Sequence, residues 1–341
     1  MDRKQGGRGD NSSCQIAQEN VVYSDERTMK DKYIGCMVGA AIGDALGKQN
    51  EGLSREDILK KGCAADYGRT PAGCPGFKLR PGQYTDDTEQ MIVLARSIIK
   101  CNGFDAGDFA AGIAKWGVDA LNDPERKSLV GPSSNAAVTR LNSGMGWKYS
   151  GSHVPTCGSA MRVAPIGLFY KDPDEIEKNA ALSSIPTHNS KGAIAGAVAV
   201  AIGVRGALLG MEFQKIIKDV TERASKYDSG LGKKIKLSFT KRNTGPEEVF
   251  SELGTSYSVY ETVPCAFYCF SRYFDDPGKA IMEAANAGGD TDSIACITGA
   301  LCGALHGIAS FPETWINGLE NEDMIAHLAE MIFERSISRY F

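Results

Sequence analysis

Residues 35–47 read GCMVGAAIGDALG, with glycine at 35, 39, 43 and 47. Positions four apart lie on one stripe of an α-helix, and a stripe without side chains lets a second helix come close. Far down the chain, residues 288–307 read GGDTDSIACITGALCGALHG, and Ala295, Gly299, Gly303 and Gly307 repeat the spacing. The two runs are expected to be neighbouring helices at the core of an all-α fold. Such stripes are also common between membrane helices. Here the first run is too short to span a bilayer and the second starts beside Asp290 and Asp292, so no membrane span is expected. Nor does Gly43-Asp44-Ala45-Leu46-Gly47 form a phosphate loop, since neither GxGxxG nor GxxxxGK[ST] is present.

Carboxylates open the second run, and they open another helical stretch as well. Thr85-Asp86-Asp87-Thr88 leads into Met91, Leu94, Ala95 and Ile98 at helical spacing; Asp290-Thr291-Asp292-Ser293 leads into Ile294, Ala295 and Ile297. Asp and Thr are favoured at helix N-caps and first turns. A cap needs one or two oxygens, however, and each cluster supplies more. The Gly288-Gly289 pair also suggests a backbone path that only glycine allows. So many carboxylates at apolar helix starts need positive charge between them. The two clusters are therefore expected to meet in space and hold metal ions. Oxygen donors without sulfur or imidazole select hard cations, Mg2+ or Mn2+. Asp44 and Glu51, which follow the first glycine run, read as solvated surface carboxylates. The other readings are a hydrogen bond across the helix end for Asp44 and access to the metal site for Glu51.

With 341 residues, 42% hydrophobic and 23% charged, the chain is long enough for a large core. A net charge of −4 gives no basic footprint for nucleic acid or anionic membrane, so a small molecule or a protein is the expected partner. The ten cysteines include no CxxC pair and only four histidines accompany them. Buried free thiols in a reducing cytoplasm fit this pattern better than zinc or disulfides. No secretory leader is visible, and residues 1–30 read as a mobile polar tail before a single domain over 31–341.

Residues 62–84, rich in Gly, Pro and Cys, read as a loop that delivers Tyr84 and Thr85. Beyond them the pattern is helical. Phe109, Ile113 and Trp116 share a face; Asp172-Pro173 and Asp276-Pro277 read as helix starts; Gly192 to Val204 reads as a buried helix. Phe213, Ile216, Ile217 and Val220 mark another helix, and Ile325, Leu328 and Ile332 the last. The alternation of Ile235, Leu237 and Phe239 suggests one short extended piece within a Lys-rich insertion over 223–246. Two loops carry chemical interest. Gly158-Ser159-Ala160-Met161-Arg162 reads either as backbone N–H groups facing an anion or as a tight turn capping a helix. His188, just before the buried helix, is either a satisfied polar group or a functional one. No GxSxG elbow surrounds the serines.

GCMVGAAIGDALG followed by Glu51, YTDDTEQM, GSAMRVAPIG, the Thr187-His188 segment and GGDTDSIACITGALCGALHG, in this order, resemble the ADP-ribosylglycohydrolase family, over about residues 32–310. That family includes the dinitrogenase reductase-activating glycohydrolases and the J1 lens crystallins. The resemblance implies a single compact orthogonal helical domain with a central dinuclear metal cleft. Such a cleft holds two divalent cations, Mg2+ or Mn2+, takes ADP-ribose, and releases it from a modified side chain or a small conjugate. It further implies Thr85, Asp86, Asp87, Asp290, Asp292 and Ser293 as metal ligands, Ser293 standing where relatives often have threonine. Gly158, Ser159, Met161 and His188 would contact substrate, and Asp292, Glu51 and Asp87 would serve catalysis. An arginine-type N-glycosidic linkage on protein is the favoured substrate. The alternative reading is a catalytically silent, crystallin-like or ADP-ribose-binding protein of the same fold. The resemblance leaves oligomeric state open.

Overall fold

The first long helix, α1, runs from Asn11 to Gly47 in the computed structural model, which describes residues 11–339. The tail expected over 1–30 thus falls partly within α1, and residues 1–10 lie outside the described residues. The helices that follow are α2 (Arg55–Lys61), α3 (Asp86–Cys101), α4 (Ala106–Asn122), α5 (Pro132–Asn142) and α6 (Trp147–Ser150). After these come α7 (Ala164–Phe169), α8 (Pro173–Ser184), α9 (Lys191–Leu208), α10 (Phe213–Tyr227), α11 (Ser229–Thr240) and α12 (Pro246–Leu253). The chain closes with α13 (Val259–Arg272), α14 (Pro277–Ala285), α15 (Thr291–His306), α16 (Glu313–Gly318) and α17 (Glu322–Ser338). Among the described residues there is no strand; two isolated bridges pair Ser152 with His188 and Thr156 with Ser258.

The glycine stripes meet as expected. A Cβ on Gly35 would lie 2.7 Å from Gly303 O, one on Gly39 2.5 Å from Gly299 O, one on Gly43 2.0 Å from Ala295 O, and one on Gly47 2.3 Å from Thr291 O. The partner number falls by four as the first rises by four, so α1 and α15 run antiparallel, backbone against backbone. That contact brings the C-terminal end of α1 to the N-terminal end of α15, where the acidic residues are. The Gly288-Gly289 pair also proves backbone-driven. Both glycines have positive φ, and their close neighbours are the backbones of Arg55 and Thr255.

Local signals account for the helix starts. Asp172 and Asp276 each cap a helix whose first residue is proline, their side chains accepting from Asp174 N–H and Lys279 N–H. The apolar faces of α3, α4, α10 and α17 turn into one core running from Tyr33 to Phe333. Helix α9 is long and apolar enough to cross a membrane, yet 83% of it is buried against other helices of the chain. Residues 62–84 form the expected loop, with turns and no regular helix.

The extended piece expected within the Lys-rich stretch is overturned as well. Ile235, Leu237 and Phe239 are not an extended piece but lie in α11. Leu231, Ile235 and Phe239 are four apart, share a face and are buried. Leu237, off that face, is only partly covered, so the apparent alternation arose from sampling too few residues.

Candidate active site

Asp44, in the last turn of α1, is fully buried. Its Oδ1 accepts from the Thr85 N–H at 3.0 Å and hydroxyl at 2.9 Å, and its Oδ2 from the Thr88 N–H at 3.0 Å and hydroxyl at 2.6 Å. Burial pushes its pKa up and these hydrogen bonds pull it back. The Thr85 hydroxyl spends its proton on Asp44, so its lone pairs are left for other partners. Glu51, after the 3-10 turn Lys48–Asn50, is also buried and accepts from the Tyr257 hydroxyl at 3.2 Å. Burial, followed by the charge of Asp290, raises its pKa to about 7. Neither residue is the solvated surface carboxylate that the sequence suggested. The glycine-striped helix packing encloses both.

The acidic clusters exceed the needs of capping. Thr85 caps α3, accepting from Asp87 N–H at 3.4 Å, which leaves the carboxylates of Asp86 and Asp87 free of that task. At the N-cap of α15, Asp290 makes no side-chain capping bond. Its Oδ2 instead accepts from the Thr262 hydroxyl at 2.7 Å and the Cys157 thiol at 3.0 Å. The two clusters do meet. Burial, then the charges of Asp44, Asp86 and Asp290, drives the Asp87 pKa well up, with the Ser293 hydroxyl opposing. Burial, then Glu51, Asp87, Asp290 and Asp44, does the same to Asp292.

Asp44, Glu51, Asp86, Asp87, Asp290 and Asp292 are each less than a tenth exposed. Two buried cations stand beside these six carboxyls: Lys48, whose field partner is Asp44, and Arg162, whose field partner is Asp86. With all six carboxyls ionised, four negative charges would be left over, the amount two divalent cations would neutralise; without cations, burial and mutual repulsion favour protons in their place. Asp87 Oδ2 is buried with no hydrogen-bond partner, an orphan expected to be costly unless something positive meets it. The donors are carboxylate and hydroxyl oxygens, as hard divalent cations prefer. Among the described residues, no three Asp, Glu, His or Cys side chains are gathered in a ligating arrangement. Thr85 is turned to Asp44, and Asp290 to Thr262 and Cys157.

The segment 158–162 is a buried turn, not a row of free N–H groups. The N–H groups of Ala160 and Met161 both donate to Cys157 O, at 2.7 and 3.3 Å. Ser159 is buried and donates to Ala193 O at 3.1 Å, and Met161 Sδ faces the Ser293 hydroxyl at 3.9 Å. Gly158 lies against His188, whose Cε1 would stand 2.6 Å from an added Cβ. Burial, and then the charge of Arg162, lowers the His188 pKa to about 3, so the ring is neutral. Sequence reasoning missed Asp44 as an anchor, together with Gln90, Cys157, Arg162 and Tyr257. A groove of about 730 Å3 between α3 and α4 is lined by Glu89, Trp116 and Arg126 but by none of the expected site residues. Cavity size therefore does not mark this site.

The sequence description of ADP-ribosylglycohydrolase matches residues 25–340. The chain belongs to the ADP-ribosylglycohydrolase family. Within that family it is similar to an uncharacterized protein of Archaeoglobus fulgidus, 38% identical over 312 residues that cover 90% of this chain and 97% of the other. It is 29% identical to human ADP-ribosylhydrolase ARH3, covering 89% of this chain and 94% of that one. With the ADP-ribosylarginine hydrolase Tri1 of Serratia proteamaculans it shares 27% identity, over 89% and 79% of the two chains. A solved structure described as an ADP-ribosylglycohydrolase-related protein complex superposes with a TM-score of 0.76 at 25% identity, over 91% of this chain and 99% of that one. The all-α fold implied by the family resemblance is the fold observed.

Proposed function

We propose that this member of the ADP-ribosylglycohydrolase family cleaves the bond at the anomeric ribose carbon of an ADP-ribosylated side chain and releases ADP-ribose, using two divalent cations. The observation that carries this reading is the meeting of both acidic helix starts and Glu51 in one buried site with surplus negative charge. Thr85, Asp86, Asp87, Asp290, Asp292 and Ser293 would hold the cations. When bound there, Mg2+ or Mn2+ would supply Lewis acidity for activating water and orienting substrate.

The chain's own residues then divide the work. Glycosidic cleavage develops oxocarbenium character, which the surrounding anionic oxygens stabilise. Glu51 is held by Tyr257 and has its pKa raised to about 7 by burial, so it can take or give a proton near neutral pH. Asp292 is the other candidate for the proton. Neutral His188, packed against Gly158, would offer substrate an uncharged hydrogen-bonding group. The arginine linkage is favoured because one relative's name is ADP-ribosylarginine hydrolase; the names of the relatives fit ADP-ribosyl substrates generally. The test is a panel of arginine-, serine- and acetyl-linked ADP-ribose with Mg2+ or Mn2+. Release of free ADP-ribose, fastest from arginine, is expected. Intact conjugate throughout would indicate a silent or merely ADP-ribose-binding member of the family.

A further inference from the structure

Behind the acidic cluster lies a buried polar chain drawn from four elements. Arg162 is completely enclosed, its guanidinium over the Phe109 ring at 5.1 Å. One terminal nitrogen donates to Gln90 Oε1; the other donates to the Thr187 hydroxyl at 2.6 Å and to Ser183 O at 3.1 Å. Gln90, one turn along α3 from Asp86, passes the bond on. Its amide nitrogen donates to Asp86 Oδ2 at 2.8 Å and lies 3.4 Å from the Ser134 hydroxyl.

The other branch fixes a tautomer. The Thr187 oxygen accepts from Arg162, and Thr187 is fully buried, so its own proton must find an acceptor. The acceptor it meets is His188 Nδ1, at 2.7 Å. His188 is neutral, and a ring that accepts at Nδ1 carries its proton on Nε2, the nitrogen that faces Gly158. Every bond in the chain therefore points away from one cation.

We propose that Arg162 is a positioning residue that sets both sides of the reaction centre at once. Through Gln90 it holds the Asp86 carboxylate in one orientation toward the metal site, and through Thr187 it holds His188 as the Nε2–H tautomer toward the substrate. The assignment rests on the functional reading above for its consequences in turnover and for the Mn2+ readout, whereas the His188 tautomer readout does not depend on that reading. It also explains a fully buried guanidinium that contacts no carboxylate directly: the charge acts through two neutral relays. Relays of this kind behind ligands typically change metal affinity about 10- to 100-fold when removed.

The branches are separable. In Gln90→Met, Mn2+ binding measured by calorimetry on the full chain should weaken about 10-fold or more, with the His188 tautomer unchanged. In Thr187→Val, 15N-histidine NMR should show loss of the pure Nε2–H form of His188, with Mn2+ affinity within about twofold of wild type. With only four histidines in the chain, that signal is assignable. Thr187→Ser should restore it. If an active enzyme is obtained, Thr187→Val should raise KM and Gln90→Met should lower kcat at limiting Mn2+. Thermal melts of each variant establish folding, and Gln90→Leu replaces Gln90→Met if the latter does not fold. Unchanged Mn2+ affinity in the Gln90 variant, or an unchanged tautomer in Thr187→Val, overturns the proposal. Absence of turnover in the wild type overturns only the functional reading.

Discussion

The Oδ2 atom of Asp44 accepts a 2.6 Å hydrogen bond from the hydroxyl of Thr88. This contact, with its companions to Thr85, ties the end of α1 to the start of α3, while the glycine stripe ties the same end of α1 to α15. One helix terminus thus sets the relative placement of both acidic clusters. Asp44→Ala would leave two hydroxyls and two N–H groups buried without their acceptor. The expected loss is about 3 kcal/mol or more of stability. Asp44→Asn, which keeps the shape, should still weaken Mn2+ binding about 10-fold, because Thr85 loses its fixed orientation. Calorimetric unfolding and Mn2+ titration check both; an Asp44→Asn protein with wild-type Mn2+ affinity would refute the anchoring role.

The glycine contact predicts a contrast between two identical substitutions. A methyl at Gly43 would stand 2.0 Å from Ala295 O, so Gly43→Ala must push α1 and α15 apart and should cost more than about 3 kcal/mol or prevent folding. A methyl at Gly278, in the first turn of α14, meets only Asp276 Oδ1 at 3.8 Å. Gly278→Ala should be neutral or stabilising by up to about 1 kcal/mol. Chemical denaturation of the two variants beside wild type measures the difference, and equal effects would contradict the packing described.

Much of this was legible before any coordinates, and the reason is physical. Spacing of four in Gly35–Gly47 and Ala295–Gly307 encodes a backbone approach that few other arrangements use, so the α1–α15 pair could be named. Asp-Pro at 172–173 and 276–277 encodes helix starts locally. Asp44 and Glu51 were misread because their burial depends on α3, α15 and the loop carrying Tyr257 closing over them, which no local pattern reports. Residues 235–239 were misread because a period of two and a spacing of four coincide over five residues. Arg162, Gln90 and Thr187 stayed hidden because their partners come from separate helices and loops.

Metal and pH should act together on stability. Glu51 has a folded pKa of about 7 against an ordinary value of 4.5, so between those pH values the native protein holds a proton that the unfolded chain releases. The metal-free protein therefore loses stability as pH rises from about 4.5 to 7. Asp86, Asp87, Asp290 and Asp292, also shifted upward, act in the same direction. Cations that replace these protons should reverse the trend. Thermal melts with saturating Mn2+ should show a larger rise in Tm at pH 8 than at pH 5.5. An equal rise at both, or none, would count against a carboxylate-held cation.

The central claim is that the two acidic helix starts act as one hydrolytic centre. Its most direct test is the release of free ADP-ribose from an arginine-linked conjugate in the presence of Mg2+ or Mn2+, followed for the wild type, Asp87→Ala and Asp290→Ala, with helical content checked by circular dichroism. Turnover by the wild type and a drop of at least about 1,000-fold in each variant are expected, with the helical signal kept. Turnover that survives loss of either carboxylate would contradict the claim.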